Sequence, residues 1–357
     1  MKSADLFRLK VDLLTKGVKG NLKLLREGGG GPTGGVSFKV DYCVVNAPYT
    51  QNFAKLSPYE IVEVDSKHRL FKNNKFVTDV FVPKEPEYYK FYVDGIEMRK
   101  IVALDGIDTL VTSVLRYCSH KRKCTFCSLE YGKDVVKEKK PEQIAEVVKV
   151  AVREDKNRHL VLTTGTPPTP DKGALLIAEV IKAVKEHTNI PIQVQIEPPE
   201  RLNFIDILYN AGADVISLNV ETFDLRIRSK VVPEKPSIEE YLKAWRHSTN
   251  LFEESNVNTW LLVGLGETFE SLIDGCSMLC EIGVIPFVVP YRPPPNVNQK
   301  MCNSKYLMNV YAKVAEIMKD CGIKPKSKAG CIRCGGCSAI NVAFKINEID
   351  NFQTEDL

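Results

Sequence analysis

The sequence has little charge of one sign. It sets 49 Lys and Arg against 45 Asp and Glu, so the formal net charge of its 357 residues is only +4. That balance points to no nucleic-acid or membrane partner. No apolar run reaches the length of a transmembrane helix. Residues 1–19 form a Lys-rich amphipathic stretch without the apolar centre of a secretory leader, and the expected compartment is cytoplasmic. The glycine-rich phosphate loop of a dinucleotide-binding fold is missing after the first strand of the α/β region. The apolar fraction of 44% and the charged fraction of 26% are those of an ordinary soluble protein. The length suits one large α/β domain with additions.

Cysteine, by contrast, is plentiful, at 11 residues. In a large chain without a leader, metal binding is the better reading than disulfides, because six of the eleven fall into two triplets. The first triplet, Cys118, Cys124 and Cys127, has the spacing C-x5-C-x2-C in RYCSHKRKCTFCSLE. Three thiolates on one loop can hold three irons of a 4Fe–4S cluster and leave the fourth open to a ligand. A zinc site completed by His120 or a distant cysteine is the competing reading. The second triplet, Cys331, Cys334 and Cys337, is C-x2-C-x2-C in AGCIRCGGCSAI, and its glycines favour a compact loop. Such a loop can wrap three irons of a cluster, for which Cys302, Cys43 or a serine such as Ser338 is the candidate fourth ligand. A zinc knuckle is the alternative. Cys276, Cys280 and Cys321 are assigned to apolar helix faces in the core.

Residues 4–17 read as a helix closed by Gly17. The run Gly28–Gly35 reads as a loop. Residues 36–105 carry short alternating runs with hairpin turns at Asn73-Asn74 and Asp94-Gly95, a small β-rich region. From about residue 108, strand-like runs alternate with helix-length segments: TLVTSVLRY, HLVLTTG, PIQVQIE, ADVISLNVE, VNTWLLVGLG and VIPFVVPY each precede one. Helices are expected near 141–154, 172–187, 201–211, 238–254, 268–282 and 304–321. Such alternation implies a parallel sheet. The predicted fold class is α/β: a partial (β/α)6 TIM-type barrel over residues 106–300, an N-terminal β-rich region over 1–105, and a C-terminal cluster-binding loop within 301–357. Chemistry then belongs at the C-terminal ends of the strands, where the first triplet falls.

The C-x-aromatic-C end of the first triplet, with Phe126 before Cys127, resembles the cluster loop of radical S-adenosylmethionine (SAM) enzymes. The first gap is two residues longer than the superfamily's commoner C-x3-C-x2-C. The turn at Thr164 and Gly165 resembles the one that meets the methionyl end of SAM. LNVETFDLRIRSK resembles the fourth-strand segment of biotin and lipoyl synthases. That likeness implies Asn219 and Glu221, two apart on a strand, at the ribose of SAM, with Arg228 pairing a carboxylate. Arg226 reads as surface charge. VGLGET resembles a segment of the same families, which implies Gly264 and Gly266 against the adenine and Glu267 opening the next helix. Trp260 stands where the family pattern has glycine. Tyr291 and Arg292 end the sixth strand at the mouth.

The resemblance implies a SAM-binding 4Fe–4S cluster on the catalytic Cys118, Cys124 and Cys127, a second 4Fe–4S cluster, and SAM. The implied activity is sulfur insertion at unactivated C–H positions of an octanoyl-type chain, as in lipoyl synthase. The chain is also similar to one component of the archaeal-type two-protein lipoyl synthase, which implies a second radical SAM protein and an octanoylated carrier protein as partners. A radical SAM enzyme forming C–C bonds or modifying peptides, and a zinc-binding protein without catalysis, are the alternatives. Lys121, Arg122 and Lys123 read as a dock for an acidic ferredoxin or flavodoxin, or as a solvated basic turn that merely offsets the charge of the cluster. The second triplet is expected to fold back over the barrel mouth.

Overall fold

The computed structural model describes residues 1–22, 34–130, 135–293 and 301–346, so most of the glycine run lies outside the described residues. Its centre is a sheet of six parallel strands: Thr109–Ser113, His159–Thr163, Ile192–Ile196, Val215–Leu218, Val257–Val263 and Ile285–Pro290. They lie side by side in chain order, and a seventh, Ala103–Asp105, pairs antiparallel with the first. Strands such as Val215–Leu218 are buried along their whole length, as a sheet covered on both faces requires. Successive right-handed crossovers, each adding the next neighbour, curl such a sheet into a partial barrel. The antiparallel edge strand lies inside the stretch that the sequence assigns to the N-terminal region.

The helices after the strands run Pro141–Asp155, Ala174–Lys185, Asn203–Ala211, Ile238–Leu251, Phe269–Glu281 and Ser304–Asp320. A further short helix, Leu225–Val231, precedes the fourth of these. Their starts are written locally. The Ser237 hydroxyl accepts from the Glu240 amide while the Glu240 carboxylate accepts from the Ser237 amide, and the Thr268 hydroxyl accepts from the Ser271 amide. Thr268 therefore caps the helix at Phe269. Glu267 lies before it and does not open it.

The N-terminal helix Ser3–Lys16 packs on the hairpin Gly35–Val40/Cys43–Pro48 and on the last barrel helix. Both expected hairpin turns form. Asn73 and Asn74 have φ of 48° and 63°, and Asp94 and Gly95 have 50° and 75°, the left-handed pairs that two-residue hairpins need. Asn46 ties this region across the two edges of the open barrel. Its Nδ2 donates to Asp105 at 3.3 Å beside one edge strand, and its Oδ1 and carbonyl accept from Arg292 at 3.0 and 2.7 Å beyond the other.

Lys139 is a buried cation site beneath the first strand. It is 1% exposed, and its Nζ donates to the Thr112 hydroxyl at 2.8 Å. Burial, with the nearby Arg116 guanidinium, lowers its pKa from 10.5 to about 7. The folded chain therefore holds fewer protons than the unfolded one above about pH 7, and stability rises with pH from there to the ordinary lysine range. Lys139→Met is expected to raise the Tm at about pH 6 and to flatten the rise of Tm above about pH 7. Parallel Tm profiles for the variant and the parent would show that Lys139 keeps its proton when folded.

Candidate active site and a second thiol site

A cavity of about 190 Å³ opens at the C-terminal ends of the strands. Cys118, Cys124, Phe126 and Cys127 line it, with Thr164, Gly165, Glu197, Asn219, Glu221, Tyr291 and Arg292 from the strand ends. The cysteine loop is fastened by its backbone: the Ser119 amide donates to Thr166 O at 2.8 Å and the Thr125 amide to Val231 O at 3.0 Å. Gly165 is required by close approach, since a Cβ there would stand 1.8 Å from Tyr117 O. The lengthened first gap is held by one carboxylate. Glu234 accepts from the Lys121 and Arg122 amides at 2.8 and 2.7 Å, which holds its carboxyl below the usual range. Lys123 pairs with Glu130 at 2.7 Å. Two carboxylates, Glu234 and Glu130, thus lie against the three basic residues that the sequence offers as a dock.

Glu221 and Lys235 form the electrostatic centre of the mouth. Lys235 Nζ lies 2.8 Å from Glu221 Oε1 and donates to Asn219 O at 2.9 Å. Burial alone would lower the Lys235 pKa. Glu221 first, then Tyr241, Cys124 and Glu197, outweigh it and hold the ammonium charged. Burial also pushes the Cys124 thiol up to about 12, against the pull of Lys235. His120 Nε2 stands 3.3 Å from Glu197 Oε2. Burial of Glu197 acts upward, but His120, Lys235 and Thr166 prevail and keep its carboxyl below the usual range. The fourth strand ends at Leu218, Glu221 continues its line as a single parallel bridge with Leu261, and both Asn219 and Glu221 line the cavity. Glu221 takes φ 70° and is pinned by its amide on Trp260 O and its carbonyl under the Leu262 amide. A non-glycine residue held there marks strain of the kind that clusters at functional sites.

The second triplet sits at the other end of the lumen. Cys331 and Cys334 lie on a short helix, Gly330–Cys334, rather than in a pure loop, and the left-handed Gly335 ends it before Cys337. The Gly330 amide donates to His159 Nδ1 at 3.0 Å, and His159 Nε2 stands 3.0 Å from the Thr109 hydroxyl and 3.5 Å from Asp108 Oδ1. Thr109 in turn hydrogen-bonds the Cys334 sulfur. Gln195 Nε2 donates to Cys331 Sγ at 3.2 Å, and the Cys331 amide donates to Gln193 Oε1 at 3.1 Å. Thr109 and His159 are first residues of their strands, so these contacts lie at the N-terminal ends. The triplet does not cover the mouth. The last barrel helix, of 17 residues, carries the chain about 25 Å back along the barrel before the triplet begins.

A smaller cavity of about 20 Å³ lies against the second triplet, and Gln195 and Trp260 line both cavities. The mouth cavity is the roomier of the two. Among the described residues, no three His, Cys, Asp or Glu side chains already converge as a metal cage, at either triplet. The donor chemistry nevertheless fits iron–sulfur clusters. Both sites offer three thiols, and the second aims N–H and O–H donors at its sulfurs, a recognised lever on cluster potential. Lys10 adds a buried cation there. It is 2% exposed, donates to Gly335 O at 2.8 Å, and pairs with no carboxylate among the described residues.

Residues 112–279 match the model of the radical SAM superfamily. The lipoyl synthase of Sulfolobus acidocaldarius is 28% identical over 207 residues, covering 56% of this chain and 68% of that protein. The lipoyl synthase of Marinobacter nauticus is 30% identical over 183 residues, covering 49% and 51%. The chain carries a radical SAM domain and is lipoyl synthase-like. It spans about half the length of the second relative. Among solved structures, a methylornithine synthase (PylB) is similar with 19% identity and a TM-score of 0.45, covering 58% of this chain and 60% of that one.

The other expected residues of this radical SAM protein go elsewhere. The Arg228 guanidinium is buried under Val220 O, Thr222 O and Pro236 O and lies over the Tyr241 ring, so it braces a turn and does not face the cavity. Gly264 and Gly266 do not line the cavity among the described residues. Their φ of 106° and 102° serve a turn whose Gly264 and Leu265 amides donate to Glu267 at 2.8 Å. Cys302 lies against Gly264, at the mouth end, and cannot serve the second triplet. Cys43 shares its strand face with buried Val45, whereas Gly336 of the second triplet's loop meets Val44 and Asn46 on the opposite face. The Ser338 hydroxyl donates to Val288 O at 2.6 Å. Cys276 and Cys280 are buried, but Cys321, at a helix end, is exposed.

Sequence reasoning missed Lys235, Glu197, Gln195 and Lys10. Gln193, Gln195 and Glu197 had a signal: polar residues two apart in an otherwise apolar strand share one face. Lys235 and Lys10 had none, because only the fold brings them to the two sites. Lys235→Met is expected to destabilise the chain by about 3 kcal/mol by leaving Glu221 charged and unpaired. The double variant with Glu221→Gln should recover part of that loss in chemical denaturation. No recovery would mean that Lys235 acts through Asn219 O alone.

Proposed function

We propose that this radical SAM enzyme inserts sulfur at unactivated C–H positions of an octanoyl-type chain, with a SAM-binding 4Fe–4S cluster at the mouth and an auxiliary 4Fe–4S cluster at the opposite end of the lumen. The observation that carries the reading is the layout: two thiol triplets face one lumen from its two ends. Between them the wall is partly apolar. Val111, Val161 and Phe287 line the lower cavity, Leu262 and Val289 the upper, and Val111 and Val161 belong to a small apolar cluster apart from the main core. Such a wall suits an alkyl chain.

When bound, the two clusters and SAM supply the electron, the hydrogen-abstracting radical and the sulfur. This chain's own residues hold and shield them. Cys118, Cys124 and Cys127 ligate three irons, and Phe126 covers the loop. Thr164 and Gly165 offer a turn to the methionyl end of SAM, Asn219 and Glu221 offer acceptors to its ribose, and Tyr291 closes the mouth. Lys235 balances the charge of Glu221 and keeps its carboxylate in place. Cys331, Cys334 and Cys337 hold the auxiliary cluster. A small redox protein as electron donor, an octanoylated carrier protein, a second radical SAM protein and a cytoplasmic setting complete this reading. Among the described residues no helix is long and apolar enough to cross a membrane.

Replacing Cys331, Cys334 and Cys337 together with alanine should leave SAM cleavage to 5′-deoxyadenosine and abolish carbon–sulfur bond formation, as read by mass spectrometry of the products. In the parent, a cluster rebuilt with labelled sulfide should pass label to product. A thiolated product from the triplet variant, or label retained wholly in the protein while product accumulates, would sink sulfur insertion from this site. Stoichiometric zinc without acid-labile sulfide in anaerobically purified protein would sink the cluster reading itself.

A further inference from the structure

The geometry points to Asp105 as the fourth protein ligand of the centre held by Cys331, Cys334 and Cys337, an inference that rests on the auxiliary-cluster reading above. Asp105 ends the antiparallel edge strand and lines the lower cavity together with all three cysteines. It is the one carboxylate among the described residues of that lining. Its Oδ1 is fixed from two sides, by the Asn46 side-chain amide at 3.3 Å and the Gly106 amide at 2.9 Å. The backbone is drawn close to the triplet there. Gly106 has φ 62°, and a Cβ on it would stand 2.6 Å from Cys334 Sγ. The Asp105 carboxylate and the Cys337 sulfur both act electrostatically on the Cys334 thiol, after the larger effect of burial.

The remaining candidates are excluded by what they already do. His159 spends Nδ1 on the Gly330 amide and Nε2 on Thr109. Gln195 presents its N–H to Cys331 and so acts as a donor toward sulfur, not as a ligand. Ser338 is committed to Val288 O, and Cys302 lies at the far end of the lumen. A carboxylate oxygen is a competent iron ligand beside three thiolates. Four anionic ligands around a 4Fe–4S core leave net negative charge, and Lys10, buried at Gly335, supplies the opposing charge.

The test uses the full chain with Cys118, Cys124 and Cys127 replaced by alanine, so that only the second centre remains, reconstituted anaerobically. In this parent, about four irons with matching sulfide are expected, and in Asp105→Ala about three, with the electron paramagnetic resonance signal of a three-iron cluster after mild oxidation. Asp105→Cys should restore about four irons and shift the Mössbauer parameters of one of them. An Asp105→Ala centre with the parent's iron count, Mössbauer spectrum and rate of oxidative iron loss would overturn Asp105 as a ligand and leave the cluster in place. If the parent itself binds neither iron nor sulfide, the auxiliary-cluster reading falls, and the assignment of Asp105 with it. Asp105→Cys guards against a merely misfolded alanine variant, because failure of both substitutions to hold a four-iron centre in a folded chain also removes the assignment.

Discussion

Every helix that links two parallel neighbours must bring the chain back to the end where the strands begin. This constraint organises the rest of the molecule. A loop that follows a strand lies at the C-terminal end of the barrel, and a loop that follows a helix lies at the N-terminal end. The first cysteine loop follows the strand Thr109–Ser113, and the second follows the helix Ser304–Asp320. One lumen therefore carries a thiol triplet at each end. A five-residue strand spans about 16 Å, which sets the scale of the separation.

The two ends differ in how their charge is managed. At the mouth, a buried ion pair, Lys235 with Glu221, stands next to the cysteines, and His120 with Glu197 stands nearby. Taking such charges out of water costs free energy that only close partners offset, so the pairs hold the strand ends in one arrangement. At the lower end the partners are mainly dipoles. A relay from the Gly330 amide through His159 and Thr109 ends on Cys334, and Gln195 ends on Cys331. Burial pushes the Cys334 thiol up to about 12, and the donor aimed at its sulfur only partly opposes that. Trp260 stands between the two environments. Its ring packs on Phe287 with centroids 5.5 Å apart, and its Nε1 has no hydrogen-bond partner among the described residues.

The closure of the barrel is not a property of the barrel alone. Its edge strands are Ala103–Asp105 and Ile285–Pro290, and the N-terminal hairpin bridges them through Asn46. The Asn46 amide also donates to Gly336 O at 2.8 Å, inside the second triplet's loop. The N-terminal region thus closes the lumen from the side and positions the lower site in the same stroke. That link explains why Lys10 and Asp105, both outside the stretch matched to the superfamily, reach the second triplet.

The sequence by itself determined the thiols, their spacing and the strand–helix alternation, because each of these is local. Six apolar strand runs with helix-length intervals suffice for a parallel sheet, and C-x2-C spacing suffices to bring two sulfurs to one loop. It also determined the polar face of Ile192–Ile196, legible as Gln193 and Gln195 two apart. Tertiary structure alone decided which end of the lumen each triplet serves, that Arg228 braces carbonyls, that Gly264 and Gly266 shape a turn, and that Lys235, Lys10 and Asp105 join the two sites. These are contacts between residues far apart in the chain. Lys10 meets Gly335 across 325 positions, and Asn46 meets Arg292 across 246. No local spacing encodes such partners. They exist only once burial of the shared core has fixed which surfaces face each other.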